Sequence, residues 1–490
     1  MKRRSILRVG GAAVALGAGI PLGARLLAPA QPGRLLRSTA PAPPRFRTPL
    51  PIPPVLSPVR VDASTDHYEI TQRPALLEIL PGLRTAAWTY GGSFPGPTIV
   101  SHSGRRTVVR HRNELPYPVV VHLHGGHTPA ASDGYPMDMV MPRMPGMDHA
   151  RDYEYPMNQR AATLWYHDHS MGRTGGNVWR GLAGFHLVRD DEEEALPLPT
   201  GDRDIPLMIT DRSFGEDGSM AYPDMHDGFM NGVLGDVILV NGAPWPVLRV
   251  DPVRYRLRLL NASNARRYRL RLDPQPSGGG ALVQIGSDGG LLERPVAHDV
   301  LEVAPAERFD VVVDFGRYRP GTRVRLVNTL GDGGAGDVMR FDVLGGAMKD
   351  ESVVPARLSD GVPRLDPGRA ARTRTFLFSQ SRDGNWTIND QSYRPGRALA
   401  RPRLGEVEIW RFITDFHHPV HVHLDPFQVL SRNTGGPGAY DAGWKDTVDV
   451  RPSEAIAVAT RFTDYAGSYL LHCHNLEHED MAMMADFVTA

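Results

Sequence analysis

The chain has 490 residues, with 55 basic and 55 acidic side chains and a formal net charge of zero. That balance excludes the strongly basic footprint of a nucleic-acid binder, and an apolar share of 41% is ordinary for a globular protein. At roughly 100–200 residues per domain, the length allows two or three domains.

Residues 1–30, "MKRRSILRVGGAAVALGAGIPLGARLLAPA", combine paired arginines, a short Ala/Gly/Leu stretch and a small-residue end, the pattern of an export signal of the twin-arginine type. Pro21 and Arg25 interrupt the apolar stretch, so no membrane span is expected in the mature form. The expected location is extracellular or in the cell envelope. Residues 31–58 form a proline-rich lead-in that has no core of its own.

From there on, short runs rich in Val, Ile, Leu, Tyr and Phe alternate at period two between Pro and Gly, as in "YRLRLLNASNARRYRLRL" and "EVEIWRFI". Long helical periodicity is scarce, which predicts an all-β protein of sandwiches or barrels. Two polar, proline-bearing stretches, 189–204 and 349–372, read as linkers and leave β domains at 59–190, 205–347 and 373–490. "AERFDVVVDFGRYRPGTRVRL" in the middle third and "SEAIAVATRFTDYAGSYLLH" in the last share a strand, turn, strand rhythm.

An exported chain usually carries cysteines in pairs, because its compartment oxidises them. This chain has one, Cys473, inside "HCHNLEHEDMAMM". Nineteen histidines scattered at random would give about 0.7 His-x-His pairs. There are four: His122/His124, His167/His169, His421/His423 and His472/His474. Residues i and i+2 of a strand share a face, so each pair offers two imidazoles to one metal site. Such pairs suit zinc, copper or iron. Cys473 with two histidines and a thioether is the ligand set of a blue copper centre, for which His418, His478 and an axial Met483 are the candidates. In "HCH" the faces alternate, so Cys473 would bind one metal while His472 and His474 reach a separate cluster on the order of 10 Å away.

"HLHGG", "WYHDHS", "HPVHVH" and "HCHNLEHEDMAMM" resemble, in order, the four copper motifs of the multicopper oxidases. "QIGSDGGLLERP", "APAERFDVVVDF", "VNGAPWP" and "GWKDTV" resemble the spore-coat laccase and bilirubin oxidase branch. The resemblance implies three cupredoxin-like Greek-key β-sandwich domains and four copper ions, one type 1, one type 2 and two type 3. It also implies a cluster held between the first and third domains. His122 and His421 would then bind type 2 copper, and His124, His167, His169, His423, His472 and His474 the type 3 pair. The middle third, without a His-x-His, would be structural and a wall of the substrate region.

The implied activity is laccase-like: four one-electron oxidations of phenolic or aminophenolic donors coupled to reduction of dioxygen to water. Electrons would enter through an exposed edge of His478 and pass along Cys473, and Asp133 and Glu479 match acidic positions that would relay protons. Bilirubin oxidases carry tryptophan two residues before the blue-site histidine, where this chain has Phe416, which argues against bilirubin as donor. Methionines 137, 139, 141, 144 and 147, and the similar stretch 220–230, raise a cuprous oxidase as the alternative, with Cu(I) as donor. Adaptable methionines lining a loop or an aromatic-substrate pocket are the preferred account of them. An exported copper-binding scaffold without turnover is the alternative of another class. A monomer is expected.

Overall fold

The computed structural model describes residues 31–146, 148–223, 228–346 and 348–490. The export-signal reading of 1–30, and Met147 and Met225 of the methionine-bearing stretches, lie outside the described residues.

Three β-sandwiches follow one another, and each is built on the same strand order. In the first, Thr65–Leu77 runs parallel to Arg106–Asn113, which pairs antiparallel with Ala150–Tyr155. The middle one repeats this with Asp204–Phe214, Arg254–Asn261 and Arg308–Asp314. The last repeats it with Arg372–Gln380, Glu408–Thr414 and Ala455–Thr460. A parallel pair cannot be closed by a tight hairpin, so the chain crosses to a second sheet between the two strands, which is Greek-key connectivity. Each sandwich encloses its own apolar core, around Tyr68, Val109 and Leu164 in the first, Leu257, Phe309 and Phe341 in the middle, and Phe378, Trp410 and Val458 in the last.

The lead-in does not dangle. Arg34–Leu35 pairs in parallel with Val233–Leu234, and Ala40 and Leu50 are buried in the middle core. Its prolines prevent it from building a sheet, so it borrows one edge and one core from its neighbour. The stretch 349–372 is also tied down: Leu358 is buried, and the Ser359 hydroxyl donates to Glu192 at 2.6 Å. Among the described residues no helix is long and apolar enough to cross a membrane.

Two strands set up the site. Val121–His124 of the first sandwich and His418–Val422 of the last are wholly buried and carry their histidines toward each other. Gly467–Cys473 lies beside the latter, with His421 opposite His472 and Val420 opposite Cys473.

Candidate metal centre

Eight imidazoles converge in one buried space between the first and last sandwiches. The ring of His122 stacks on that of His423 at 4.0 Å between centroids, and His124 on His421 at 3.7 Å. His167 and His169 come in from Ala162–Asp168 and the residue after it, with Trp165 stacked on His167 at 4.1 Å. His472 meets His423 with 3.1 Å between Nε2 atoms, and His474 lies 5.0 Å from the His124 ring. Three triads, His122/His421/His423, His122/His124/His167 and His169/His423/His472, each bring one ligand atom per residue within 4.8 Å of the others.

Most of these rings are anchored by one nitrogen and aim the other inward. His122 Nδ1 donates to the Asp133 carbonyl at 2.5 Å, His167 Nδ1 to the Asp168 carbonyl at 2.8 Å, and His421 Nδ1 to the Asp446 carbonyl at 2.9 Å. His124 is anchored the other way round, Nε2 donating to Asp446 Oδ1 at 3.0 Å. The second nitrogens, Nε2 of His122, His167 and His421 and Nδ1 of His124, are buried without a hydrogen-bond partner. Burial first, and the neighbouring imidazoles second, hold His122, His124, His421 and His423 well below the ordinary histidine range. Neutral rings with inward lone pairs are what a cationic cluster needs, and unpartnered polar atoms at this density are rare elsewhere in folded proteins.

The second site lies on the opposite face of the same strand. Cys473 Sγ is 3.3 Å from His418 Nδ1 and 3.5 Å from His478 Nδ1, and the two nitrogens are 3.1 Å apart. A point about 1.9 Å from all three atoms exists within that triangle, which matches metal–nitrogen bonding and falls slightly short of metal–thiolate bonding. Burial pushes the Cys473 thiol well above its usual range, so a cation is required to make it a thiolate. Met483 is buried in the same core cluster as Cys473. Ala482, in the left-handed region at φ 69°, turns the chain so that the Met483 amide reaches the His478 carbonyl at 2.9 Å.

His478 itself has no exposed edge: its relative exposure is 0%. The expectation of a solvent-facing imidazole is corrected here, because Trp386 stacks on that ring at 3.9 Å and Phe416 flanks it at 6.2 Å. The Trp386 indole N–H donates to the Met230 carbonyl at 3.0 Å, and Asn475 Nδ2 to the Asn231 carbonyl at 3.0 Å, so the middle sandwich walls this site. Met137 and Met144 are exposed, at 48% and 44%.

Both acidic candidates touch the cluster histidines. Asp133 Oδ2 accepts from His423 Nδ1 at 2.7 Å, and burial pushes its carboxyl up to about 7. Glu479 Oε2 is 3.2 Å from His472 Nδ1, and its Oε1 is 3.7 Å from His169 Nε2. A cavity of about 260 Å³ reaches from His122, His423 and Asp446 to the exposed Asp464. There the His127 ring sits between Asp425 and Asp464, 3.0 Å from each. Sequence reasoning did not single out Trp386, Arg308, Asp446 or Thr447, although "GWKDTV" contained two of them and "APAERFDVVVDF" a third.

Comparison with known proteins agrees with this geometry. Multicopper oxidase family models match residues 74–193 and 368–490. A laccase from Bacillus stratosphericus is 39% identical over 90% of this chain and 98% of its own length. A bilirubin oxidase from Albifimbria verrucaria is 38% identical over 91% of this chain and 81% of its own. The crystal structure of a laccase from Pediococcus acidilactici superposes with a TM-score of 0.84 at 32% identity, covering 93% of this chain and 96% of that one. The chain belongs to the multicopper oxidase family, and its three sandwiches are cupredoxin-like. It is a laccase-like, copper-dependent oxidase with dioxygen as acceptor, and neither the cuprous oxidase nor the non-catalytic scaffold reading is favoured.

Proposed function

We propose that the enzyme works with four copper ions, one that would be held by His418, Cys473 and His478 with Met483 as a further donor, and three in the cluster of eight histidines. His122 and His421 would hold the type 2 ion and the remaining six the type 3 pair. The observation that carries this reading is the arrangement of donors: Cys473 points to His418 and His478, while its chain neighbours His472 and His474 face the other way, into the cluster of histidines. Bound copper would supply the one-electron redox steps and the reduction of dioxygen.

The chain's own residues divide the remaining work. Buried Trp386 and half-buried Phe416 exclude water from the blue site, and Phe416 offers the aromatic edge from which a phenolic or aminophenolic donor passes single electrons inward. Cys473 is bonded through the backbone to His472 and His474, a short path from one site to the other. Four electrons and four protons are consumed per dioxygen, giving two waters. Asp133 and Glu479, at the rings of His423 and His472, hold and deliver the protons. The cavity at His127 gives dioxygen and water their passage.

Around this chemistry the chain would be organised as cupredoxin domains at 59–190, 205–347 and 373–490, in a monomer exported by the twin-arginine route. Arg3→Lys with Arg4→Lys would then trap it in the cytoplasm. The main test is steady-state turnover of the copper-loaded enzyme with an aminophenol, a methoxyphenol, bilirubin and Cu(I). The expected result is oxygen uptake of one dioxygen per four donor electrons, fastest with the phenolic donors. A protein that shows the blue copper–thiolate band but consumes no oxygen with any of them contradicts it.

A further inference from the structure

None of the candidate ligands of the four coppers lies among the described residues of the middle sandwich, yet one of its side chains reaches the cluster. Arg308, at the start of Arg308–Asp314, is 0% exposed and uses all five of its N–H donors. Nε donates to the Thr163 carbonyl of the first sandwich at 3.0 Å, and Nη1 to its own sandwich's Ala306 carbonyl at 3.0 Å. Nη2 reaches the Asp288 carbonyl at 3.3 Å. The remaining two N–H groups grip Asp446 of the last sandwich as a fork, Nη1 on Oδ1 at 2.7 Å and Nη2 on Oδ2. A single guanidinium thus joins all three sandwiches.

The same carboxylate oxygen that Nη1 holds also accepts from His124 Nε2 at 3.0 Å, and the Asp446 carbonyl accepts from His421 Nδ1 at 2.9 Å. Thr447 Oγ1 lies 3.2 Å from both of those nitrogens and donates to Asp446 Oδ1 at 2.9 Å. The two rings are the closest stacked histidine pair of the cluster, 3.7 Å apart and 15° from parallel. Behind Asp446, Asp288 Oδ2 accepts from the backbone amides of Asp446 and Thr447 at 3.2 and 3.3 Å. Buried Lys445 links Asp288 to Glu307 at 3.2 Å each. Asp446 is therefore held from both ends and cannot swing away.

We propose that Arg308 is a positioning residue for the copper cluster, acting through the Asp446 carboxylate to decide which nitrogen of His124 faces the metal; His421, anchored on the Asp446 backbone carbonyl and stacked on the His124 ring at 3.7 Å, would transmit a turn of that ring to the type 2 site. A ring that lost the Asp446 acceptor could turn over and present Nε2 of His124 in place of Nδ1, misdirecting the lone pair. A plain ion pair between sandwiches needs only opposite charges. This arrangement also fixes tautomers, because the fork leaves Oδ1 oriented toward His124. The inference rests on the reading of the eight histidines as the copper cluster.

The test uses copper-loaded full-length enzyme, with Asp446→Asn and Arg308→Lys as variants. Blue-band absorbance, the type 2 EPR signal and the rate of copper loss to a chelator are followed. The expected result for Asp446→Asn is a shifted type 2 EPR signal and roughly 10–100-fold faster cluster copper loss, with blue absorbance per protein unchanged. Arg308→Lys keeps the charge but not the fork, and should fall between the Asp446→Asn variant and the parent enzyme on both readouts. A type 2 signal and copper retention equal to the parent's in Arg308→Lys overturns the proposal, and this holds even where Asp446→Asn fails to fold. A parent enzyme with no type 2 signal would instead sink the four-copper reading on which the proposal rests.

Discussion

Trp386 shows how a residue that binds no metal can govern one that does. Its indole covers the imidazole of His478 and is itself only 2% exposed. Replacing it by alanine opens a cavity and lets water reach the site. Trp386→Ala should therefore lose about 3 kcal/mol of stability and lower the blue-site potential, whereas Trp386→Phe should keep most of both. A thermal melt and a redox titration of the blue band decide this; an unchanged potential in the alanine variant would show that the stacking has no electronic role. The two carboxylates are tested by Asp133→Asn and Glu479→Gln, which should slow dioxygen reduction by about 10²–10⁴ while anaerobic reduction of the blue site stays fast. Slowing of both steps alike would assign these residues to packing. At this scale the sequence disclosed the histidines, because i and i+2 spacing on a strand is itself a geometric statement. Arg308 carried no such mark. It is one arginine in a chain whose bases are nearly all arginine, and its partners lie in other sandwiches.

The turn after Val121–His124 shows how an element's conformation is tied to the cluster. Gly125 has φ 85°, and a Cβ there would lie 2.6 Å from Arg308 Nη2, 2.8 Å from Leu164 and 2.9 Å from Asp446 Oδ2. Gly125→Ala should cost about 3 kcal/mol, part backbone strain and part overpacking, and should weaken copper retention at the same time. A stable variant with normal copper retention would mean that the turn relaxes freely. The strands themselves were readable from alternation. The two segments with a shared rhythm, "AERFDVVVDF" and "SEAIAVATRF", prove to contain equivalent strands, Arg308–Asp314 and Ala455–Thr460. The burial of His478 was not readable, since it depends on Trp386 and Met230, more than 80 residues away from it in sequence.

Across the whole molecule, cohesion between sandwiches comes from charge as well as from the cluster. Glu193 is buried against Arg256 at 2.8 Å and Arg258 at 2.9 Å. Burial alone would raise its carboxyl, but the guanidiniums outweigh this and hold it at about 2, against an ordinary 4.5. A lowered folded value means the contribution is fully present above pH 4.5 and is lost as pH falls toward 2. It amounts to on the order of 3 kcal/mol. The stability difference between wild type and Glu193→Gln should shrink across that window in denaturant titrations; a difference independent of pH would refute it. The candidate ligands come from both ends of the chain, so stripping copper should lower the melting temperature and restoring it should reverse the loss. An apo form that melts with the holo form would show that the interface stands without the metal.

The strap formed by the lead-in has a practical corollary. Residues 34 and 35 are zipped to 233 and 234, only a few positions from the carbonyls of Met230 and Asn231 that back the indole and Asn475. Wiring the enzyme to an electrode through residues 34 and 35 would put the conductor on the side that walls the blue site, so current without a diffusing mediator should exceed that of randomly attached enzyme.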